Sequence, residues 1–135
     1  MENWTDSYLL GIDEIDKQHR GFFELWENEC RNADLNNYDQ LKSIIDKLES
    51  YILEHFRTEE DLLRKSGYAD IESHIAQHGF FIQKVSEMKL ELNYKNMLLF
   101  EKLTMFIKKW FVSHIMQTDR KYRDDVMKYL SENSR

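Results

Sequence analysis

Five histidines lie at positions 19, 55, 74, 78 and 114 of a 135-residue chain. An imidazole nitrogen can ligate a metal or carry a proton near neutral pH, so what these rings can do depends on which of them meet. His55 and Glu59 are four residues apart, and so are His74 and His78. On a helix that spacing stacks two side chains on one face, within about 6 Å of each other. It suits two ligands converging on one metal or one metal pair. A single histidine on an apolar stripe is more often a hydrogen-bonded core residue than a ligand. Five in one small core are different, because each unsatisfied ring would cost about 1–3 kcal/mol and a metal centre supplies partners to all. Glu59 occupies a stripe position where leucine is expected. Asp119 follows His114 by five residues, about 140° round an ideal helix. Spacing alone reads it equally as a ligand or as the acid that opens the last helix, where negative charge is favourable. Glu60 falls off the stripe, and Glu60→Ala is expected to keep the metal.

The elements that must position these residues are helices. Pro is absent and Gly occurs four times, and these are the residues that interrupt helix. Apolar residues recur at helical spacing over 15–33, 38–65, 69–92 and 95–116, and every histidine falls inside one of these stripes. His19 is on the first, His55 on the second, His74 and His78 on the third, and His114 on the fourth. The connections are short and polar: Asp34 to Asn37, Ser66-Gly67, and Asn93 to Asn96. Asn36 or Asn37 can cap the second helix and Gly67 can end it. Short connections make successive helices antiparallel neighbours. The expected fold is all-α: an up-down-up-down four-helix bundle, with residues 1–14 as a folded arm and a short fifth helix over 120–130. Residues 1–135 read as one domain, with no repeat, low-complexity segment or linker.

Composition narrows the function classes. The net charge of −6 opposes nucleic-acid binding, which needs a basic face for phosphates. No apolar run approaches the roughly 20 residues that span a bilayer. The opening Met1 to Asp6 lacks the basic start and apolar run of a signal peptide, and the one cysteine, Cys30, forms no disulfide within the chain. Together these lead us to expect a cytoplasmic protein without membrane insertion.

The donor set restricts the metal. It is too large for one tetrahedral zinc, and no HExxH motif is present. Calcium and magnesium prefer oxygen. Imidazole with carboxylate suits iron or manganese. The Glu-x-x-His motif of ferritin-like sites is absent, so the site is richer in histidine and poorer in negative charge than that kind.

Four stretches then carry a resemblance: Trp4 with Gly11-Ile12-Asp13-Glu14-Ile15-Asp16-Lys17-Gln18-His19; His55-Phe56-Arg57-Thr58-Glu59-Glu60; His74-Ile75-Ala76-Gln77-His78; and Trp110-Phe111-Val112-Ser113-His114-Ile115 followed by Asp119 and Tyr122. Over nearly its whole length the chain resembles the hemerythrins, in particular the single-domain bacterial ones. All seven ligand positions of that family are filled in order. The resemblance implies two non-haem irons, cycling between Fe2+ and Fe3+, joined by a bridging oxo or hydroxo group. It places His74, His78 and His114 on one iron, His19 and His55 on the other, and Glu59 and Asp119 across both. With six positions per iron, that set leaves one position open, on the iron with two histidines.

The function so implied is reversible O2 binding for storage or delivery, without catalysis. The alternatives are a sensor of O2, nitric oxide or redox state acting through a partner protein, or a di-iron enzyme acting on peroxide or nitric oxide. O2 is the expected ligand, and an oxygen-consuming protein is a conceivable recipient. Phe22, Phe23, Ile52, Phe56, Trp110 and Ile115 are suited to keeping the centre dry. Where the family often has leucine after the Trp matched to Trp110, this chain has Phe111. A larger ring there is expected to alter oxygen kinetics.

Overall fold

The computed structural model describes residues 6–31, 33–34, 36–92 and 97–133. Trp4, the expected break at 93–96 and the side chains of Leu92 and Leu99 lie outside them. The four expected helices are α1 (Asp13–Arg31), α2 (Tyr38–Ser66), α3 (Ile71–Leu92) and α4 (Met97–Ser113). The chain then continues through a five-residue π-helical turn, His114–Thr118, and a 3-10 turn, Asp119–Tyr122, into α5 (Arg123–Glu132). Neighbours in sequence pack as neighbours in space, α1 on α2, α2 on α3 and α3 on α4, while α5 lies against α2. Among the described residues there is no strand, and no helix is long and apolar enough to cross a membrane.

Local chemistry explains the helix ends. The Asn37 side chain accepts the backbone N–H of Gln40 at 3.0 Å, so Asn37 rather than Asn36 caps α2. At the other end Gly67 takes φ 68°, its N–H bonding the Arg64 carbonyl while the Tyr68 N–H reaches Leu63. That pair of bonds satisfies the last carbonyls of the helix and requires a left-handed residue between them.

The arm is tied to α1 by one acid. Asp16 accepts the backbone N–H of Leu10 at 2.7 Å and of Gly11 at 2.9 Å, one on each carboxylate oxygen. Gly11 sits at φ 86°, a conformation other L-residues rarely adopt. The reversal delivers Leu10 and Ile12 into the interior.

That interior has two apolar clusters. The larger joins α1 to α4 through residues such as Phe22, Trp26, Leu48, Ile52, Phe81 and Phe111. The smaller joins the arm, both ends of the α2–α3 turn and α5 through Leu10, Ile15, Leu63, Tyr68, Tyr122 and Val126. The histidines lie between them on every helix: His19 between Ile15 and Phe22, His55 and Glu59 between Ile52 and Leu63, His114 between Phe111 and Tyr122. One stripe expectation fails. Ile82, expected on the stripe of α3 together with Phe81 and Val85, is 38% exposed, whereas Phe81 and Val85 are buried.

Asp16→Ala removes two hydrogen bonds to a charged acceptor and should destabilise the protein by about 2–3 kcal/mol. Chemical denaturation compares the two proteins, and equal stabilities would show that the arm is held by its apolar contacts alone.

Candidate metal centre

All seven residues singled out in the sequence converge, and all are buried. They form two groups, each able to hold a metal ion, with ligand atoms within 4.8 Å of one another. One group is Glu59, His74, His78 and His114; the other is His19, His55, Glu59 and Asp119.

Both carboxylates are shared between the two sides, one oxygen to each. Glu59 Oε1 lies 2.5 Å from His74 Nε2 and 3.0 Å from His78 Nε2, whereas Oε2 lies 3.4 Å from His55 Nε2. Asp119 Oδ1 lies 3.0 Å from His114 Nε2 and 3.4 Å from His74 Nε2, whereas Oδ2 lies 3.1 Å from His19 Nε2. Three imidazoles therefore gather on one side and two on the other, with the acids spanning them.

The outer contacts fix which ring nitrogen faces inward. His78 Nδ1 is 2.8 Å from Glu60 Oε2, and a carboxylate can only accept, so Nδ1 carries the hydrogen and Nε2 presents its lone pair. His55 Nδ1 likewise donates to Gln18 Oε1 at 2.6 Å, while the Gln18 amide donates to Thr58 Oγ1. His114 Nδ1 lies 3.3 Å from Gln77 Oε1, which also accepts the Thr118 hydroxyl at 2.7 Å. The inner nitrogens then crowd together: His78 and His114 at 3.0 Å, His74 and His114 at 3.2 Å, His19 and His55 at 3.2 Å. Neither Asp119 oxygen accepts a hydrogen bond. Five imidazoles and two carboxylates converging in one buried site suit cations between them, and an imidazole–carboxylate donor set suits iron.

The electrostatics of these residues agree. Burial pushes the Glu59 carboxyl up, yet His55, His114 and His74 together hold it well below the usual carboxylate range. Asp119 is lowered as well, burial and the Glu59 charge being outweighed by His114 and His19. Burial lowers His114, but Asp119 and Glu59 raise it to about 9. His19 stays below its ordinary value because burial outweighs Asp119. The surrounding imidazoles thus favour the anionic form of both acids.

Asp119 reaches the site because the helix changes pitch. In the turn His114–Thr118 the Asp119 N–H bonds the His114 carbonyl, five residues back. That widened turn brings residues five apart onto one face, removing the 140° separation of an ideal α-helix. The ambiguity left by spacing is resolved in favour of Asp119 as a member of the site.

Aromatic rings enclose the centre. Phe56 stacks flat on His78, with centroids 3.7 Å apart and planes at 6°. Trp110 stacks on His114 at 4.5 Å. Phe111 meets the two-histidine side edge-on, 5.5 Å from His19 and 5.6 Å from His55, and packs on Phe22 at 4.5 Å. Tyr122 donates its hydroxyl to Glu59 Oε2 at 2.8 Å. Sequence reasoning missed Gln18, Gln77 and Thr118, whose partners lie on other helices, and it placed Glu60 off the stripe. Glu60 is instead part-buried against His78.

Comparison with known proteins accords with this geometry. Residues 10–124 match the family model described as the hemerythrin HHE cation binding domain. The chain is 34% identical to a bacteriohemerythrin of Clostridium acetobutylicum, over 90% of this chain and 98% of that one. It is 30% identical to a bacteriohemerythrin of Stenotrophomonas maltophilia, over 98% of this chain and 86% of the relative. A crystal structure of wild-type hemerythrin shares the fold with a TM-score of 0.81 at 24% identity, covering 93% of this chain and 98% of that one. Two histidine groups bridged by shared carboxylates are the non-haem di-iron site typical of O2-binding proteins of this kind, which serve as carriers rather than catalysts. By its sequence, its fold and the arrangement of its buried donors, the chain belongs to the hemerythrin family.

Proposed function

We propose that residues 1–135 form one hemerythrin-like domain that binds O2 reversibly for storage or delivery in the cytoplasm. His74, His78 and His114 would hold one iron, His19 and His55 the other, and Glu59 and Asp119 would bridge them. The observation that supports this reading best is the unequal division of imidazoles across two shared carboxylates. It leaves the two-histidine side with fewer protein donors, and that is the side Phe111 covers.

When bound, the ferrous pair supplies the two electrons that reversible O2 uptake requires. The chain's own residues do the rest. Glu59 and Asp119 bring two negative charges that offset the cations. Gln18, Glu60 and Gln77 hold three rings with Nε2 inward. Phe22, Phe111 and Ile115, all fully buried, keep water from the centre and so protect the reduced state. The single half-buried thiol, Cys30, fits a reducing compartment.

The protein is to be reduced without oxygen, its iron counted, and its visible spectrum followed through cycles of O2 and vacuum. Two irons per chain with a reversible charge-transfer band are expected. Rapid irreversible oxidation would point to sensing or catalysis, and a colourless protein with one metal or none would defeat the reading. Glu59→Ala removes the acid common to both groups and should reduce iron content from two per chain toward none, measured after anaerobic loading. Phe111→Leu should release O2 faster than the parent in stopped-flow measurements; equal off-rates would mean that this ring does not gate the site.

A further inference from the structure

The outer contacts of the five imidazoles are not chemically alike. His55 and His114 are backed by neutral amide oxygens, those of Gln18 and Gln77. The outer nitrogens of His19 and His74 have no hydrogen-bond partner among the described residues. His78 is backed by a carboxylate, Glu60 Oε2, at 2.8 Å.

Glu60 follows the shared acid Glu59 directly on α2, so one helix turn sends one carboxylate into the centre and the next to its rim. The other Glu60 oxygen lies 3.6 Å from an Arg64 guanidinium nitrogen one turn later, and that arginine is 61% exposed. Such a solvent-facing pair stabilises little by itself. Phe56, one turn before Glu60, covers the flat face of His78. The ring is thereby fixed across its face by Phe56 and in its plane by Glu60. A carboxylate behind a metal-binding imidazole makes the inner nitrogen more basic and favours the more highly charged metal.

The geometry points to Glu60 as a positioning residue whose charge, passed through His78, favours the oxidised state on the three-histidine side of the centre. This rests on the di-iron reading above, and it adds a second asymmetry to the unequal histidine count: among the described contacts, the two-histidine side has only an amide behind its rings.

The test uses the full chain loaded anaerobically with ferrous iron, as parent and as Glu60→Gln, Glu60→Ala and Arg64→Ala variants. Iron per chain, iron affinity by chelator competition and midpoint potential by spectroelectrochemistry are read for each, with circular dichroism to confirm helicity. Glu60→Gln keeps the acceptor and the shape but not the charge. It should still hold two irons, while its ferric-to-ferrous ratio at a fixed potential falls about tenfold, a rise of about 59 mV for one electron. Glu60→Ala should keep its iron when loaded with excess metal, as its place off the stripe led us to expect, but should bind it about 10–100-fold more weakly because His78 loses its outer acceptor. Arg64→Ala should match the parent in both. A Glu60→Gln protein with the parent's potential overturns the proposal, as does an Arg64→Ala protein that shifts as far as Glu60→Gln. A parent with fewer than two irons defeats the di-iron reading itself, and the proposal with it, whereas a two-iron parent with an unshifted Glu60→Gln defeats the proposal alone.

Discussion

Glu59 is a carboxylate with no exposure to solvent, set in the middle of a helical bundle. Taking such a charge out of water costs several kcal/mol unless partners surround it. Here they do on every side: imidazoles of α2, α3 and the π turn, and the hydroxyl of Tyr122. Asp119, from the opposite end of the chain, faces the imidazoles of His19, His74 and His114. The bundle is organised around satisfying these two acids. Their positions dictate that four helices each bring at least one ring to the same level, and that the last of them abandon α-helical pitch to bring Asp119 in.

A polar layer of this kind needs apolar support, because it contributes little hydrophobic stabilisation of its own. The support comes from both directions along the bundle axis. The larger cluster packs the long bodies of the helices, and the smaller one closes the end where the arm, the α2–α3 turn and α5 meet. The Asp16 bonds to the arm therefore matter to the centre although they lie outside it: they hold Leu10 and Ile12 in the cluster that contains Tyr122, the hydroxyl partner of Glu59. A metal bound by these converging groups adds its binding energy to folding.

Oxygen chemistry at such a centre depends on which parts of it are alike and which are not. Both acids span the two sides in the same manner, one oxygen to each. The imidazoles are divided unequally, the rings that pack on them differ, and so do their outer acceptors. Phe111 and Phe22 border the two-histidine side, while Phe56 and Trp110 lie flat on His78 and His114. The three-histidine side is thus clamped by flat stacking, and the two-histidine side meets edges. The same four-helix frame carries both environments because each helix contributes different neighbours to its own histidine.

Periodicity was enough to place the four helices and to put all five histidines on inward faces, since burial of an apolar stripe is a local pattern. The caps at Asn37 and Gly67 were legible for the same reason: a cap satisfies backbone groups only a few residues away. Glu59 was legible as a charge where leucine is expected, next to His55 on one helix face. The failures were of another kind. Ile82 fits the helical period of α3 yet lies outward, because the period does not say how wide the buried stripe is. Glu60 looked idle because its partner, His78, lies on a different helix.

By itself, then, the sequence determined the elements, the inward direction of the rings and, through the resemblance it carries, the expectation of seven donors. Spacing within one helix records only neighbours within a turn or so. The distances that gather the histidines, how Glu59 and Asp119 each turn one oxygen to the three-histidine side and one to the two-histidine side, and which outer groups hold the rings in place are relations between helices. Only their packing decided these. Asp119 marks the boundary most clearly: its distance from His114 along the chain was plain, but its place in the centre depended on a π turn that packing selects, because a buried carboxylate must reach its partners.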